Sequence, residues 1–277
     1  MHTWLYTVAT NICLDALKKR SPRTLPPAVY PAADPSYPLA SPIAEAIWLE
    51  PFPDTWLAEA TENPEVRYER HESISLAFLT ALQLLPPRQR AILILSDVLD
   101  WRASEIAHLL EVSVSAVNSA LYRARVTLEK NYRTDQRERA QIGRPDTETN
   151  TLLSRYVHAW ETDDVPELVS LLKKDAILNM PPYLSWYAGQ EAIRALLVAI
   201  PFRSREKNRW RLYLTHANAQ PAFVVYEANE AKNSYRAVGV QIVTLDYSQL
   251  PRQVSRVTIF LDPSLVTSFG YSLQLSQ

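Results

Sequence analysis

The stretch from Ser104 to Ser119 constrains this chain more tightly than any other. Two runs of helical periodicity are separated there by only Glu111-Val112-Ser113, and so short a connection forces the two helices to cross steeply. Ala107 is small where the helices approach, and Val112 is an apolar plug for the turn. Ser113 is placed to accept an exposed backbone N–H at the start of the second helix. This is a helix-turn-helix pattern. It sits inside a longer block, Ser73 to Tyr132, whose periodicity is helical throughout. Ile74, Ala77, Phe78, Ala81, Leu82 and Leu85 mark a first helix that stops at Pro86-Pro87, and Ala91, Ile92, Leu95, Val98 and Leu99 mark a second. A third, around Ile106 to Leu110, is short. The fourth is expected to bury Val114, Val117, Leu121, Ala124 and Leu128.

With that stripe turned inward, Ser115, Ala116, Ser119, Tyr122 and Arg123 point outward and Asn118 lies on the flank. Hydroxyl, amide and guanidinium groups pair with base edges in a major groove, and Ala116 permits close approach. Arg125, Lys130, Arg133, Arg137 and Arg139 continue as a basic tail suited to the phosphate backbone. A plain helical hairpin with a solvated polar face satisfies the same pattern, so periodicity alone leaves both readings open.

The rest of the chain sets the frame. Its 277 residues suffice for two domains, and 47% hydrophobic and 21% charged residues are those of a soluble globular protein. The net charge of -1 does not by itself suggest nucleic acid. The single cysteine, Cys13, excludes an internal disulfide and argues against a closed zinc site, and no metal or cofactor is expected. Neither a signal peptide nor a run of membrane-spanning length is present, so a cytoplasmic chain with no membrane partner is expected. Thr3 to Lys19 reads as an amphipathic helix on Leu5, Val8, Ile12 and Ala16, ending in the basic cluster Lys18, Lys19, Arg20 and Arg23. From Ser21 to about Pro53 prolines crowd the sequence and forbid helices and inner strands, which makes a linker. Within it Trp48-Leu49-Glu50-Pro51-Phe52-Pro53-Asp54 carries large apolar groups that either dock elsewhere, through Trp48, Leu49 and Phe52, or cluster locally. After a polar stretch from Thr134 to Asn150, residues 151–200 give helices (Leu152, Leu153, Tyr156, Val157 and Trp160; then Leu168, Leu171 and Leu172; then Ile193, Leu196 and Leu197). Residues 209–262 give strands, such as Trp210 to Leu214 and Val254 to Leu261. Helices first and strands later predict an α+β domain.

Three segments resemble known families. Leu84-Leu85-Pro86-Pro87-Arg88-Gln89-Arg90-Ala91, Ser104-Glu105-Ile106-Ala107 and Val114 to Arg125 (VSAVNSALYRAR) are similar in wording and spacing to domain 4 of extracytoplasmic-function, group IV, sigma factors of the sigma-70 family. The resemblance implies that Asn118, Ser119, Tyr122 and Arg123 read the minus-35 promoter element and that the domain touches the flap of core RNA polymerase. Glu111 stands where that family usually has glycine, which puts the turn geometry in question. Trp4 to Leu17 resembles the last helix of sigma domain 2. The earlier helices, which in the family grip the polymerase and melt the minus-10 element, are expected upstream of Met1, so the chain reads as a fragment unable to initiate transcription alone. Without its usual partners this helix is expected to be loosely held or to dock elsewhere.

The C-terminal segment resembles the SnoaL-like branch of the NTF2-like superfamily, a curved sheet wrapped by helices into a cone. The likeness rests on Tyr156 to Asp164, Leu171-Leu172 leading to Asp175-Ala176, Met180-Pro181-Pro182 and Tyr187 to Ile193. The expected organisation is therefore multidomain. Residues 1–22 are a remnant domain 2 helix, 23–70 a proline-rich linker and 71–134 an all-α sigma domain 4; 135–150 form a second linker and 151–277 an α+β NTF2-like domain. Trp160, Met180, Trp186, Tyr187, His216, Asn218, Tyr226 and Asp262 are nominated as lining a pocket for a small-molecule ligand, although most such aromatics serve packing. The resemblance implies regulation of a sigma factor by this domain. The alternative is a SnoaL-type isomerase or cyclase, or a ligand-binding module, fused to a DNA-binding regulator that acts without polymerase. In that case His158, Asp175, His216 and Asp262 would be the groups for proton transfer.

Overall fold

Proline crowding does not leave a free tether. The computed structural model describes residues 2–19, 23–39, 41–43, 48–56, 76–136, 147–204, 208–229, 233–248 and 250–276. The chain divides into two units, Met1–Thr24 with Ala77–Asp135, and Leu25–Leu76 with Gln136–Gln277. The first helix thus belongs with the helix-turn-helix, and the proline-rich segment belongs with the C-terminal domain. Arg20, Ile74, Arg137 and Arg139, and the side chains of Leu5, Lys18, Ala77, Phe78, Ala81, Lys130 and Arg133, lie outside the described residues.

In the first unit α1 (His2–Lys19) packs against α3 (Pro87–Leu93) and α4 (Ala103–Leu110). The contact is made by Leu14, which is buried with Leu85, Ile92, Leu93, Ile106, Ala107 and Leu110. Ile12, expected on the apolar seam, is 64% exposed, because a residue two positions from Leu14 faces the far side of a helix. α2 (Leu76–Leu84) ends at the proline pair, and Arg90 folds back across the break to hydrogen-bond Gln83 Oε1 at 2.6 Å and the Leu85 carbonyl at 3.3 Å. A further bond to the Gln83 carbonyl at 3.4 Å and the one to Leu85 occupy backbone carbonyls that the end of a helix leaves without partners. α3 runs into a π-turn, Ile94–Val98, whose extra residue rotates the following side chains out of register. Val98 and Leu99, expected to be buried, are consequently exposed, and Leu93 takes the inward place.

α4 closes at Glu111, which adopts φ 52 and ψ 48. The left-handed turn that glycine usually supplies is therefore kept, with strain of about 1–2 kcal/mol for a residue carrying a Cβ. α5 (Val114–Gln136) follows. Its Val117, Ala120, Leu121 and Ala124 are buried, a 3.6-residue stripe. Val114, expected to begin that stripe, is 44% exposed, since the first turn of α5 extends beyond the core.

In the second unit α6 (Thr147–Glu161), α7 (Val165–Ser170) and α8 (Gln190–Ala199) pack on a sheet ordered β2-β1-β6-β5-β4-β3, with β7 on β5. The strands are β1 (Leu172–Asn179), β2 (Trp186–Ala188), β3 (Trp210–Ala217), β4 (Gln220–Ala228), β5 (Ser234–Asp246), β6 (Gln253–Phe260) and β7 (Gln274–Ser276). Among the described strands only β1 and β6 run parallel. This is the α+β architecture that the resemblance implies. The expected helix through Leu171 and Leu172 instead stops at Ser170, and Leu172 opens β1.

Register breaks in β4–β5 and β5–β6 curve the sheet. Gly239 sits at the first break, and a Cβ there would lie 1.8 Å from the Phe260 carbonyl oxygen, so only glycine fits. The inner face buries Tyr156, Trp160, Trp210, Phe223, Val225, Val243 and Val257. Trp160 meets Phe202 at 5.0 Å and Trp210 edge-on at 5.9 Å between ring centres, separations favoured by aromatic pairs. The outer face buries Val224, Tyr226, Val240, Ile242 and Phe260 under Val266 and Phe269 from α9 (Ser264–Ser268) and the residue after it. Leu25 and Leu49 of the proline-rich segment join the same cover.

Candidate nucleic-acid interface

The start of α5 is set by Ser113, whose Oγ accepts the Ala116 N–H at 3.1 Å. This satisfies one of the donors left open in a first helical turn. Val112 packs against the core of the unit and Ala107 is 6% exposed where α4 meets its neighbours. Held this way, α5 leaves Ser115, Ala116, Asn118, Ser119, Tyr122, Arg123 and Arg125 exposed. Tyr122, at 71%, is a large aromatic left in solvent.

The two arginines differ. Arg123 makes no hydrogen bond or ion pair with the described residues, whereas Arg125 grips Asp97 through Nη2–Oδ1 at 2.7 Å and Nε–Oδ2 at 3.2 Å. Partial burial acts to raise the Asp97 pKa, but hydrogen bonds from Arg125 and Ser96 outweigh it and hold the carboxyl below its ordinary value. The hydrogen bond to Asp97 raises Arg125 in turn. Asp97 was not legible as a partner, since it lies 28 positions from Arg125 and only the π-turn fixes its direction.

The Trp48 to Asp54 motif lies on the β3–β4 hairpin. Trp48 is 6% exposed and Phe52 stands edge-on to Trp56 at 5.1 Å. The Phe52 N–H donates to Asn218 Oδ1 at 2.9 Å, and the Asn218 N–H returns a bond to the Phe52 carbonyl at 3.0 Å. Pro53 bridges Ala217, and the Ala219 N–H donates to Asp54 Oδ1 at 3.0 Å. The turn it grips is itself strained, with φ 53 at Asn218 and 60 at Ala219. Asparagine tolerates that region and alanine does so at a cost. Further upstream, Trp186 Nε1 donates to the Tyr30 carbonyl at 2.7 Å, and the Trp186 carbonyl accepts the Ala33 N–H at 2.7 Å.

The residues nominated for a ligand pocket do not converge. Trp160, Met180 and Tyr187 lie in the inner core, and burial raises the Tyr187 phenol above its ordinary value. Tyr226 points to the outer face, where its hydroxyl donates to the Ser272 carbonyl at 2.7 Å. Trp186 and Asn218 bind the proline-rich segment. His216 is exposed, and exposed Asp262 accepts from the Ser264 N–H and hydroxyl at the start of α9. The alternation of a strand, which sends Val225 inward and Tyr226 outward, is what separates them. His158 and Asp175 are also on the surface, so the four groups nominated for proton transfer do not share an interior.

One buried polar pair was missed. Gln241 Nε2 donates to the Tyr156 hydroxyl at 2.7 Å inside the cone, and Gln241 Oε1 has no partner among the described residues. A glutamine in a β-strand carries no sequence signal for such a role. Among the described residues no group of three His, Cys, Asp or Glu is placed to hold a metal ion, and no helix is long and apolar enough to cross a membrane.

Residues 75–128 match the family described as Sigma-70, region 4. Over 273 residues the chain is 40% identical to "ECF RNA polymerase sigma factor SigG" from two strains of Mycobacterium tuberculosis, spanning 98% of this chain and 70% of each relative. The crystal structure of the Mycobacterium tuberculosis extracytoplasmic function sigma factor SigJ aligns with a TM-score of 0.53 at 18% identity. That alignment covers 96% of this chain and 82% of the other, and at this identity it speaks for the fold. With the exposed face of α5 in a region-4 helix-turn-helix and 40% identity across nearly its whole length, the chain belongs to the ECF RNA polymerase sigma factors.

Proposed function

We propose that the chain directs bacterial RNA polymerase to promoters by reading the minus-35 element with α5, while its C-terminal unit governs activity through its hold on the proline-rich segment. The observation that carries the first part is the exposed face Ser115, Ala116, Asn118, Ser119, Tyr122 and Arg123 on the second helix of the motif. It offers donors, acceptors and one guanidinium without a partner among the described residues to a groove. The second part is supported by the clamp of Phe52, Pro53 and Asp54 on the Ala217 to Ala219 turn. By fixing the path of the segment between α1 and α2, the C-terminal unit acts as a brace on the chain that joins the two sigma elements. Contact of the helix-turn-helix unit with the polymerase flap belongs to the same reading.

The test is reconstitution with core polymerase. This chain, and a version extended upstream, are assayed for capture by the core enzyme and for protection of a promoter selected from a random pool. Arg123→Ala is expected to weaken promoter binding by about 1–3 kcal/mol and to relax preference at one base position. Failure of both versions to bind core polymerase overturns the proposal.

A further inference from the structure

α5 carries two arginines in different electrostatic states, two positions apart and therefore on opposite edges of its exposed face. Arg123 has no hydrogen bond or ion pair among the described residues. Arg125 directs Nε and Nη2 at both carboxylate oxygens of Asp97, a paired edge-on geometry that fixes the guanidinium plane as well as its position. The carboxylate comes from the π-turn Ile94–Val98, closed by the Leu99 N–H on the Ile94 carbonyl at 3.1 Å. π-turns recur where a side chain has to be re-aimed. Both side chains remain open to solvent, at 59% for Arg125 and 36% for Asp97, so burial does not explain the pairing.

A guanidinium already neutralised by a carboxylate releases no phosphate counterions when DNA arrives, and counterion release is what drives sequence-independent binding. Resting on the DNA-binding reading of α5, we propose that Asp97 is an affinity-tuning residue that withholds Arg125 from the DNA backbone at one edge of α5, leaving Arg123, on the opposite edge, as the charged contact. Arg125 is then part of the scaffold although it lies beside the reading face. Asp97 thereby lowers the affinity of the face for promoter and random sequence alike, because a backbone contact carries no sequence information.

The experiment measures binding of the full chain to a mixed-sequence duplex and to a selected minus-35 duplex over a series of salt concentrations. Wild type is compared with Asp97→Asn, Arg125→Gln and the double variant, each checked for folding by circular dichroism. Asp97→Asn is expected to bind both duplexes several-fold more tightly, with a log–log salt slope steeper by about 0.9, the value for one added phosphate contact, and with promoter preference unchanged. Arg125→Gln and the double variant are expected to keep the wild-type slope. A flatter slope for Arg125→Gln shows that Arg125 already contacts DNA, and an unchanged slope for Asp97→Asn shows that nothing was withheld; either result overturns the proposal. A wild-type chain that binds neither duplex overturns the DNA-reading proposal along with this one, whereas wild-type binding with either adverse slope overturns this one alone.

Discussion

Replacing Asn218 by glycine separates the clamp on the proline-rich segment from the turn that carries it. Asn218 holds φ 53, a conformation glycine adopts without strain, so Asn218→Gly keeps the hairpin while deleting the amide oxygen that accepts the Phe52 N–H. The two remaining bonds use backbone donors at 218 and 219 and survive the change. Loss of the Phe52 bond, with a donor left without its acceptor, costs about 0.5–3 kcal/mol. At about 1.4 kcal/mol per factor of ten this raises the undocked population roughly 2- to 150-fold. The reporter is the Ala219 amide, which the substitution does not touch and which loses its Asp54 partner only when the segment leaves. Hydrogen exchange at Ala219 is expected to accelerate by that factor, while exchange at inner-strand Val243 changes only by the small entropic penalty of the added glycine. Unchanged protection at Ala219 refutes the reasoning, because it means that burial of Trp48 and Leu49 holds the segment and the polar clamp contributes nothing.

Three further outcomes are expected. Glu111→Gly relieves the left-handed strain at the end of α4, and thermal melting of the chain is expected to show the helix-turn-helix unit stabilised by up to about 1 kcal/mol; no rise in Tm refutes strain at that position. Ser113→Ala removes the acceptor for the Ala116 N–H and is expected to cost about 1 kcal/mol and to weaken promoter binding in titrations, since Ser115 and Ala116 ride on the same turn. Asp246 is buried against Lys173 at 2.8 Å. Burial acts to raise its pKa, but hydrogen bonds from Lys173 and Ser248 prevail and lower it from 3.8. A carboxyl lowered in the folded state contributes stability above its unfolded pKa, and that contribution is lost as pH falls through the folded value. Asp246→Asn is therefore expected to destabilise the C-terminal unit by about 2 kcal/mol near neutral pH, with the gap from wild type closing in acid. Denaturant melts across that range check it, and a gap independent of pH contradicts the linkage.

The helix-turn-helix was legible because its signals are local: Ser113 caps the helix it precedes, and the outward face of α5 follows from a 3.6-residue stripe. What escaped was set by distant parts of the chain. Val98 and Leu99 fit a regular helix, and only the π-turn turns them outward. Leu171 and Leu172 read as the end of a helical run, yet Leu172 opens β1, for which β6 is a parallel partner. The residues nominated for a pocket are parted by parity, since one residue of offset along a strand exchanges the inner face for the outer and no sequence pattern fixes which face Tyr226 takes. Large apolar groups among prolines did signal docking at Trp48, Leu49 and Phe52, yet the recipient turn at Asn218 and Ala219 lies about 165 positions away and carries no mark of its role.

The apolar outer face of the sheet decides between two ways in which the proline-rich segment could act. Val224, Tyr226, Val240, Ile242 and Phe260 form a surface that α9 covers only in part, and Leu25, Leu49 and Trp48 lie buried or partly buried on the same unit. Fully burying a large apolar side chain contributes about 1.5–3 kcal/mol, an upper bound when the unfolded reference is extended. Three such groups therefore hold the segment by at most roughly 4–9 kcal/mol before the polar clamp is counted. Hydrogen exchange reads small undocked populations, which makes it the suitable readout for Asn218→Gly. A partner that drew the segment away would need to prefer the undocked form by the same amount, since a ligand shifts an equilibrium only by its differential affinity. A binding site that accepts the segment along its docked path meets no such requirement. The energetics therefore favour a brace that polymerase engages as it stands over a latch that polymerase must open.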